Sequence, residues 1–279
     1  MKTFNKYESR YFNNVLEKNG IIEKSSSNKQ KIINEYNYYY HLPENIKKYF
    51  VQPKNLKIFD NLASYEMEKI DIKNLGELSS LYSISENSFY LILKNIKNFQ
   101  EDCIIYGEID LCETKDSYDL VINKTFGRIQ NNQLLFLLFD RLNNAYSEYI
   151  KNRTTWKKII SHGDLCFSNI LWSEEKNIFN LIDPRGAKIK KDIYIDEYYD
   201  LAKLSHSVLG GYDSIIYNGN PIKKEVQDMF IQYIYEKDIS FELLRVYEAS
   251  LFLSMIPLHN KNIALFVKQC DKILIDLGF

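Results

Sequence analysis

The sequence predicts an α+β protein of two lobes: a small β-rich N-terminal lobe over residues 1–70 and a larger, mainly helical C-terminal lobe over residues 71–279. Three observations predict it. Short alternating apolar runs bounded by turn formers cluster in the first seventy positions. Apolar residues at three- and four-residue spacing dominate from position 87 onward. Between two blocks of helical pattern, residues 157–186 carry short apolar segments around a charged turn, with polar residues at their ends. The length of 279 residues permits two lobes and a substantial core.

In chain order, residues 12–18, 20–26, 56–60 and 63–68 read as strands. Residues 28–42 read as a helix carrying Ile32, Ile33, Tyr36 and Tyr39 and closed by Pro43. Lys24 therefore lies on a strand and Glu35 on the helix that follows. Residues 72–81 lead away without a Pro/Gly/Ser linker, so the lobes are expected to pack directly on each other. Residues 87–99, 117–129 and 132–151 read as helices. In the last of these, Leu134, Leu135, Leu138, Leu142, Ala145 and Tyr149 form a stripe expected in the core. Residues 199–209, 224–237, 241–254 and 262–277 read as four further helices, and no internal repeat or low-complexity tract appears.

Composition narrows the partners. With 36 basic and 37 acidic side chains there is no bias towards nucleic acid or a membrane surface. No apolar run approaches a membrane span, and the first residues lack the apolar region of a signal peptide. Cys103, Cys112, Cys166 and Cys270 show no C-x-x-C pairing, which fits reduced thiols and a cytoplasmic location. Nothing in the pattern speaks to oligomeric state.

The chemistry concentrates in Ser161-His-Gly-Asp-Leu-Cys-Phe-Ser-Asn-Ile-Leu-Trp172 and Phe179-Asn-Leu-Ile-Asp-Pro-Arg-Gly186. Residues 170–172, a charged turn at 173–177 and residues 179–182 read as a hairpin that delivers Asp183 opposite Asn169. Phosphoryl transfer needs a carboxylate to orient an attacking hydroxyl and oxygen ligands for the magnesium that bridges nucleotide phosphates. Asp164 suits the first task, and Asn169 with Asp183 the second, because hard cations choose carboxylate and amide oxygens. A lone H-G-D is a weak signal, and its alternative is a tight turn hydrogen-bonded by His162 and Asp164; the flanking strand pattern favours chemistry.

These segments resemble the catalytic and metal loops of the aminoglycoside phosphotransferase and choline kinase superfamily, which shares the protein-kinase fold. The H-G-D-x-x-x-x-N loop is matched by His162, Gly163, Asp164 and Asn169, and the strand ending I-D by Ile182 and Asp183. The resemblance implies that Asp164 is the catalytic base, that Asn169 and Asp183 bind Mg²⁺, and that His162 holds the loop. Tyr199-Asp-Leu-Ala202 is similar to the family's D-L-A helix start, where Asp200 would brace the loop; an ordinary helix N-cap is the alternative. In the family's fold a strand lysine contacts the nucleotide's phosphates and pairs with a helix glutamate, and Lys24 and Glu35 fit those roles.

No glycine-rich phosphate loop precedes Lys24; the stretch at residues 5–13 contains no glycine. Ser9 and Arg10 there offer a hydroxyl, backbone donors and a charge, with a solvated arginine as the alternative for Arg10. The resemblance also places Met67 as a gatekeeper and Glu68 to Ile70 against the purine of ATP or GTP. The implied reaction is γ-phosphoryl transfer to a hydroxyl of a small-molecule acceptor.

For that acceptor, the mixed charges at residues 188–197 do not suit the polycations of aminoglycoside kinases. Choline kinases need an aromatic cage, for which only Trp156 and Trp172 are available as tryptophans, although many tyrosines keep choline open. Asp183-Pro-Arg-Gly186 is similar to members associated with bacterial capsule and surface-glycan synthesis, pointing to a sugar, polyol or similar precursor. Arg185 would bind an anionic group or stabilise transferred charge, or else pair with Asp192 or Asp196. A reading from another class, a degenerate nucleotide-binding scaffold, rests on the absent glycine loop alone.

Overall fold

A computed structural model describes residues 14–279, so Ser9 and Arg10 lie outside the described residues. The N-terminal part is a four-stranded sheet of β1 (Asn14–Lys18), β2 (Ile21–Ser26), β3 (Pro53–Ile58) and β4 (Ala63–Glu68) in the order β1-β2-β4-β3, with antiparallel neighbours. Asn19 and Gly20 turn the first hairpin with φ of 52° and 75°, the left-handed conformation that a two-residue turn needs. β3 begins earlier than expected because proline is tolerated at the start of an edge strand, and a register shift between Lys54 and Lys57 follows it.

Helix α1 (Lys29–His41) packs on the sheet, with Asn28 Oδ1 capping the Lys31 amide at 3.2 Å. A short α2 (Glu44–Lys47) leads to β3. Beyond β4 come α3 (Leu75–Leu81), α4 (Glu86–Tyr106), β5 (Asp110–Leu111) and α5 (Thr114–Tyr118). The expected helix at 117–129 is three pieces: α5, a π-helical turn over Asp119–Asn123, and α6 (Lys124–Ile129). It starts early because the Glu113 amide donates to Asp116 Oδ2 at 2.8 Å, capping the first turn.

In α7 (Phe136–Tyr149), Leu138, Leu142 and Ala145 are buried as expected, as is Leu135 just before it. Leu134 is 90% exposed, because it sits in a 3₁₀ turn that rotates it away from the stripe.

Strand β6 (Lys157–Ile160) precedes the H-G-D loop, and β7 (Ile170–Ser173) with β8 (Ile178–Leu181) forms the charged-turn hairpin. β9 (Tyr194–Asp196) joins β5 and β6 in a three-stranded sheet ordered β5-β6-β9. Helices α8 (Tyr198–Val208), α9 (Tyr212–Tyr217), α10 (Lys224–Tyr235), α11 (Phe241–Met255) and α12 (Ile263–Asp276) complete the chain. α11 is buried from Leu243 to Met255 and packs against α6, α7, α8 and α12 at the centre of the helical lobe. No helix among the described residues is long and apolar enough to cross a membrane.

Two seams join the lobes. The Val51 amide donates to the Leu181 carbonyl at 3.2 Å and the Leu181 amide to the Tyr49 carbonyl at 2.7 Å, which extends the β7–β8 hairpin onto the segment before β3. The Ala187 amide donates to the Asn34 carbonyl of α1 at 2.8 Å. Gly186 permits that contact, since a methyl group there would sit 2.8 Å from Asn34 C and from Glu35 N.

Candidate active site

The H-G-D loop is held from three directions. Asp200, in the first turn of α8, accepts the amides of His162 and Gly163 at 2.7 and 2.8 Å. The brace is therefore present, and it is not an N-cap, since Glu197 takes that position. Burial raises the Asp200 carboxyl to about 7 against the pull of the two amides.

His162 is wholly buried and stacks on Phe50, 5.8 Å between centroids and 8° between planes. Its Nδ1 accepts the Asp164 amide at 3.2 Å, which leaves Nε2–H to donate to the Ile182 carbonyl at 3.0 Å. Burial pushes the imidazole down to about 4, so it is neutral at pH 7. Gly163 has φ of 75°, and the Arg185 Cβ lies 2.5 Å from where its own side chain would begin. Only glycine fits there.

The Asn169 amide nitrogen donates to the Asp164 carbonyl at 2.8 Å and to Asp164 Oδ2 at 3.2 Å. The Ile182 amide donates to the Asn169 carbonyl at 3.0 Å, so the hairpin register sets Ile182 opposite Asn169 and Asp183 one residue beyond. Asp183 adopts φ of 57°, a left-handed conformation that aspartate tolerates better than most residues, and its side chain turns towards the sheet.

There the two lobes meet. Lys24 Nζ of β2 lies 2.7 Å from Glu35 Oε2 of α1 and 2.5 Å from Asp183 Oδ1. Burial alone would lower the Lys24 ammonium, but Asp183 and Glu35 outweigh it and hold it above the usual lysine range. Tyr65 Oη donates to Glu35 Oε2 at 3.2 Å, fixing the glutamate from the sheet side.

Met67 lies in an apolar cluster with Ile32, Val51, Tyr65 and Leu171, against which Ile22, Ile70, Ile72 and Ile182 pack. Glu68 is exposed at the end of β4. Met67 and Ile70 thus converge with the hairpin, while Glu68 points its side chain to solvent.

Sequence reasoning misses Lys203, beside Asp164, and the Tyr199–Lys124 pair. Lys203 Nζ of α8 lies 2.8 Å from Asp164 Oδ1, and this carboxylate outweighs the lowering effect of burial on the lysine. Tyr199, one turn earlier on α8, is buried, and Lys124 of α6 donates to its hydroxyl with its ammonium 4.6 Å from the ring centroid. The Arg185 guanidinium stands 6.0 Å from the same ring. The available signal is helical spacing: Lys203 follows Asp200 by three positions and Tyr199 by four, on one helix face. Arg185 does not make the expected alternative pairs. Asp192 accepts the amides of Lys188 and Ile189, and Asp196 forms a bidentate pair with Arg153 at 2.7 and 2.8 Å.

The donors at the hairpin suit magnesium. Asn169 supplies an amide oxygen, its nitrogen being committed to Asp164, and Asp183 a carboxylate. Among the described residues there is no group of three or more His, Cys, Asp or Glu side chains able to cage a metal. Mg²⁺ takes one or two protein oxygens and completes its octahedron with phosphates and water.

No protein-family model matches this chain, and no curated protein matches it. Solved structures do. A thermostable mutant of aminoglycoside phosphotransferase APH(4)-Ia superposes with TM-score 0.69 at 12% identity, over 99% of this chain and 94% of that one. A putative fructosamine-3-kinase from Haemophilus somnus gives 0.64 at 12% identity, over 98% and 91% of the two chains. Choline kinase LicA from Streptococcus pneumoniae gives 0.60 at 12% identity, over 99% and 93%. At such identities the likeness is one of fold: the chain has the two-lobed protein-kinase-like fold, a small β-sheet lobe on a larger helical lobe.

Proposed function

We propose that this protein is a nucleotide-dependent small-molecule kinase that transfers the γ-phosphoryl group of ATP or GTP to an acceptor hydroxyl. The carrying observation is Lys24, which joins β2, α1 and the end of the hairpin through Glu35 and Asp183 beside the Asp164–Asn169 loop. Lys24, oriented by Glu35, binds the α- and β-phosphates. Met67, Glu68 and Ile70 flank the purine, and Ser9 and Arg10, outside the described residues, are the candidates in the sequence for the phosphates.

Asp164 accepts the hydroxyl proton as the acceptor oxygen forms its bond to the γ-phosphorus. The bond to the β–γ bridging oxygen breaks and the nucleoside diphosphate leaves. Lys203 on Oδ1 and Asn169 on Oδ2 orient that carboxylate towards the hydroxyl. Asn169 and Asp183 would hold Mg²⁺, which when bound would neutralise charge developing on the phosphates. His162 and Asp200 position the loop without touching the reactants.

The folds that superpose belong to proteins named for phosphorylating small molecules, which supports a small-molecule acceptor. A place in surface-polysaccharide synthesis rests only on the Asp183-Pro-Arg-Gly186 segment.

Magnesium-dependent nucleotide turnover against a panel of sugars, polyols, amino alcohols and aminoglycosides tests the reading, with Asp164→Asn in parallel. The variant is expected to bind nucleotide normally and to lose about a hundredfold or more in turnover. Nucleotide binding with no turnover on any acceptor would favour a scaffold, and absence of binding would end the kinase reading.

A further inference from the structure

Resting on that kinase reading, we propose that the acceptor carries an anionic group, a phosphate or a carboxylate, bound by Lys124, Arg185 and Lys203 around Tyr199 beside Asp164. These residues come from separate elements: α6, the segment after the hairpin, and α8. Their convergence is built by backbone and packing. The Arg185 amide donates to the His162 carbonyl at 2.8 Å, and its side chain lies on the bare face of Gly163, next to Asp164. Lys203 reaches Asp164 directly, and Lys124 seats its ammonium on the hydroxyl and ring of Tyr199.

The charge count is lopsided. Lys124 and Arg185 gather at the Tyr199 ring and Lys203 one turn further on, where it pairs with the Asp164 carboxylate. Asp200 lies beneath, occupied by two backbone amides. Among the described residues no carboxylate forms an ion pair with Lys124 or Arg185. Burial lowers the Lys124 ammonium to about 8, with Lys203 and Arg185 adding to the effect. Burial would raise the Tyr199 phenol, yet Lys124, Lys203 and Arg185 outweigh it and draw it down to about 8. The Tyr199 shift reports a positive potential at this spot. A partly desolvated lysine without a carboxylate is costly unless an anion completes it.

That potential opposes a quaternary ammonium or a polyamine in the acceptor position. It suits a phosphate or carboxylate, for which the planar guanidinium of Arg185 offers paired donors. The subsite adjoins the proposed base, so an acceptor held there by its anionic end presents a hydroxyl to Asp164.

The test uses acceptors matched in carbon skeleton: glucose, glucose 6-phosphate and gluconate, with glycerol, glycerol 3-phosphate and glycerate as a second set. Each is titrated by calorimetry into the full chain with magnesium and a non-hydrolysable ATP analogue, which fills the nucleotide's phosphate positions. Saturable binding of an anionic member, tenfold or more tighter than its neutral parent, is expected. The phosphate and carboxylate arms then decide which anion the site takes. Arg185→Gln and Lys124→Gln are expected to weaken that binding at least tenfold and leave affinity for the ATP analogue unchanged. Arg185→Lys, which keeps the charge, is expected to restore most of it.

Equal or absent binding of the anionic and neutral members, or a preference that both glutamine variants leave intact, overturns the inference. Failure of the chain to bind the ATP analogue at all would instead overturn the kinase reading, so the two failures are distinct.

Discussion

At pH 7 His162 is uncharged, and the acid limb of the protein's stability follows from that. In an unfolded chain a histidine titrates near 6.5, whereas burial holds His162 at about 4. Between those values the unfolded chain binds a proton that the folded protein does not. Stability contributed by this residue is therefore present above pH 6.5 and is lost as the pH falls towards 4, by about 3 kcal/mol in full. Asp200 works in the opposite direction. Its carboxyl is raised to about 7, so its share of stability is present in acid and is lost as the pH rises through 7. The sum nearly cancels over the shared range, and single variants separate the two. Urea unfolding of His162→Gln at pH 7 and at pH 5 is expected to show a smaller gap to the wild type at the lower pH. An equal gap at both values would mean that His162 is not buried neutral.

Among the elements, β9 and α8 depend on one buried ion pair. Arg153 is bidentate to Asp196 with both side chains fully enclosed, and Tyr247 Oη donates to Asp196 Oδ2 at 2.6 Å. The guanidinium is also sandwiched, 4.3 Å from the Trp156 ring centroid and 4.6 Å from that of Tyr198. Asp196→Ala strands a buried cation and is expected to cost about 3–5 kcal/mol in urea unfolding. Loss of the exposed Lys47–Glu44 pair should cost under about 0.5 kcal/mol. An Asp196→Ala protein as stable as the wild type would remove this pair from the account of how α8 is placed.

The same elements show what a sequence can disclose. The β7–β8 hairpin is legible because apolar runs flank a charged turn, and Lys24 with Glu35 because a strand and a capped helix adjoin in sequence. Lys203 is legible only through its spacing from Asp200 and Tyr199, and Lys124 not at all, since each reaches the site only once its helix has docked. For Lys124 a π-helical turn just before it also shifts the phase that a regular helix would predict. Leu134 misleads for the same reason in miniature: a 3₁₀ turn breaks the spacing on which the stripe is counted.

At the scale of the whole molecule, the alignment of Lys24 with Asp183 is set by how α1 is sewn to the segment after the hairpin. Gly186→Ala places a methyl group 2.8 Å from the α1 backbone at Asn34 and Glu35, where no flexible side chain can yield. The helix must shift, and Glu35 with it. The Michaelis constant for nucleotide is expected to rise about tenfold with little change in thermal midpoint. A variant with wild-type nucleotide kinetics would show that the seam does not position Glu35.

That seam also bears on how firmly α1 is held. Tyr38 of α1 donates to the Ser161 carbonyl at 2.9 Å, and the Ala187 amide is bonded to Asn34, so the helix bearing Glu35 is tied to the start of the H-G-D loop and to the segment after Asp183. Asn34 and Tyr38 stand one turn apart, so two rivets on a single face of α1 resist both rotation and sliding of the helix that carries Glu35.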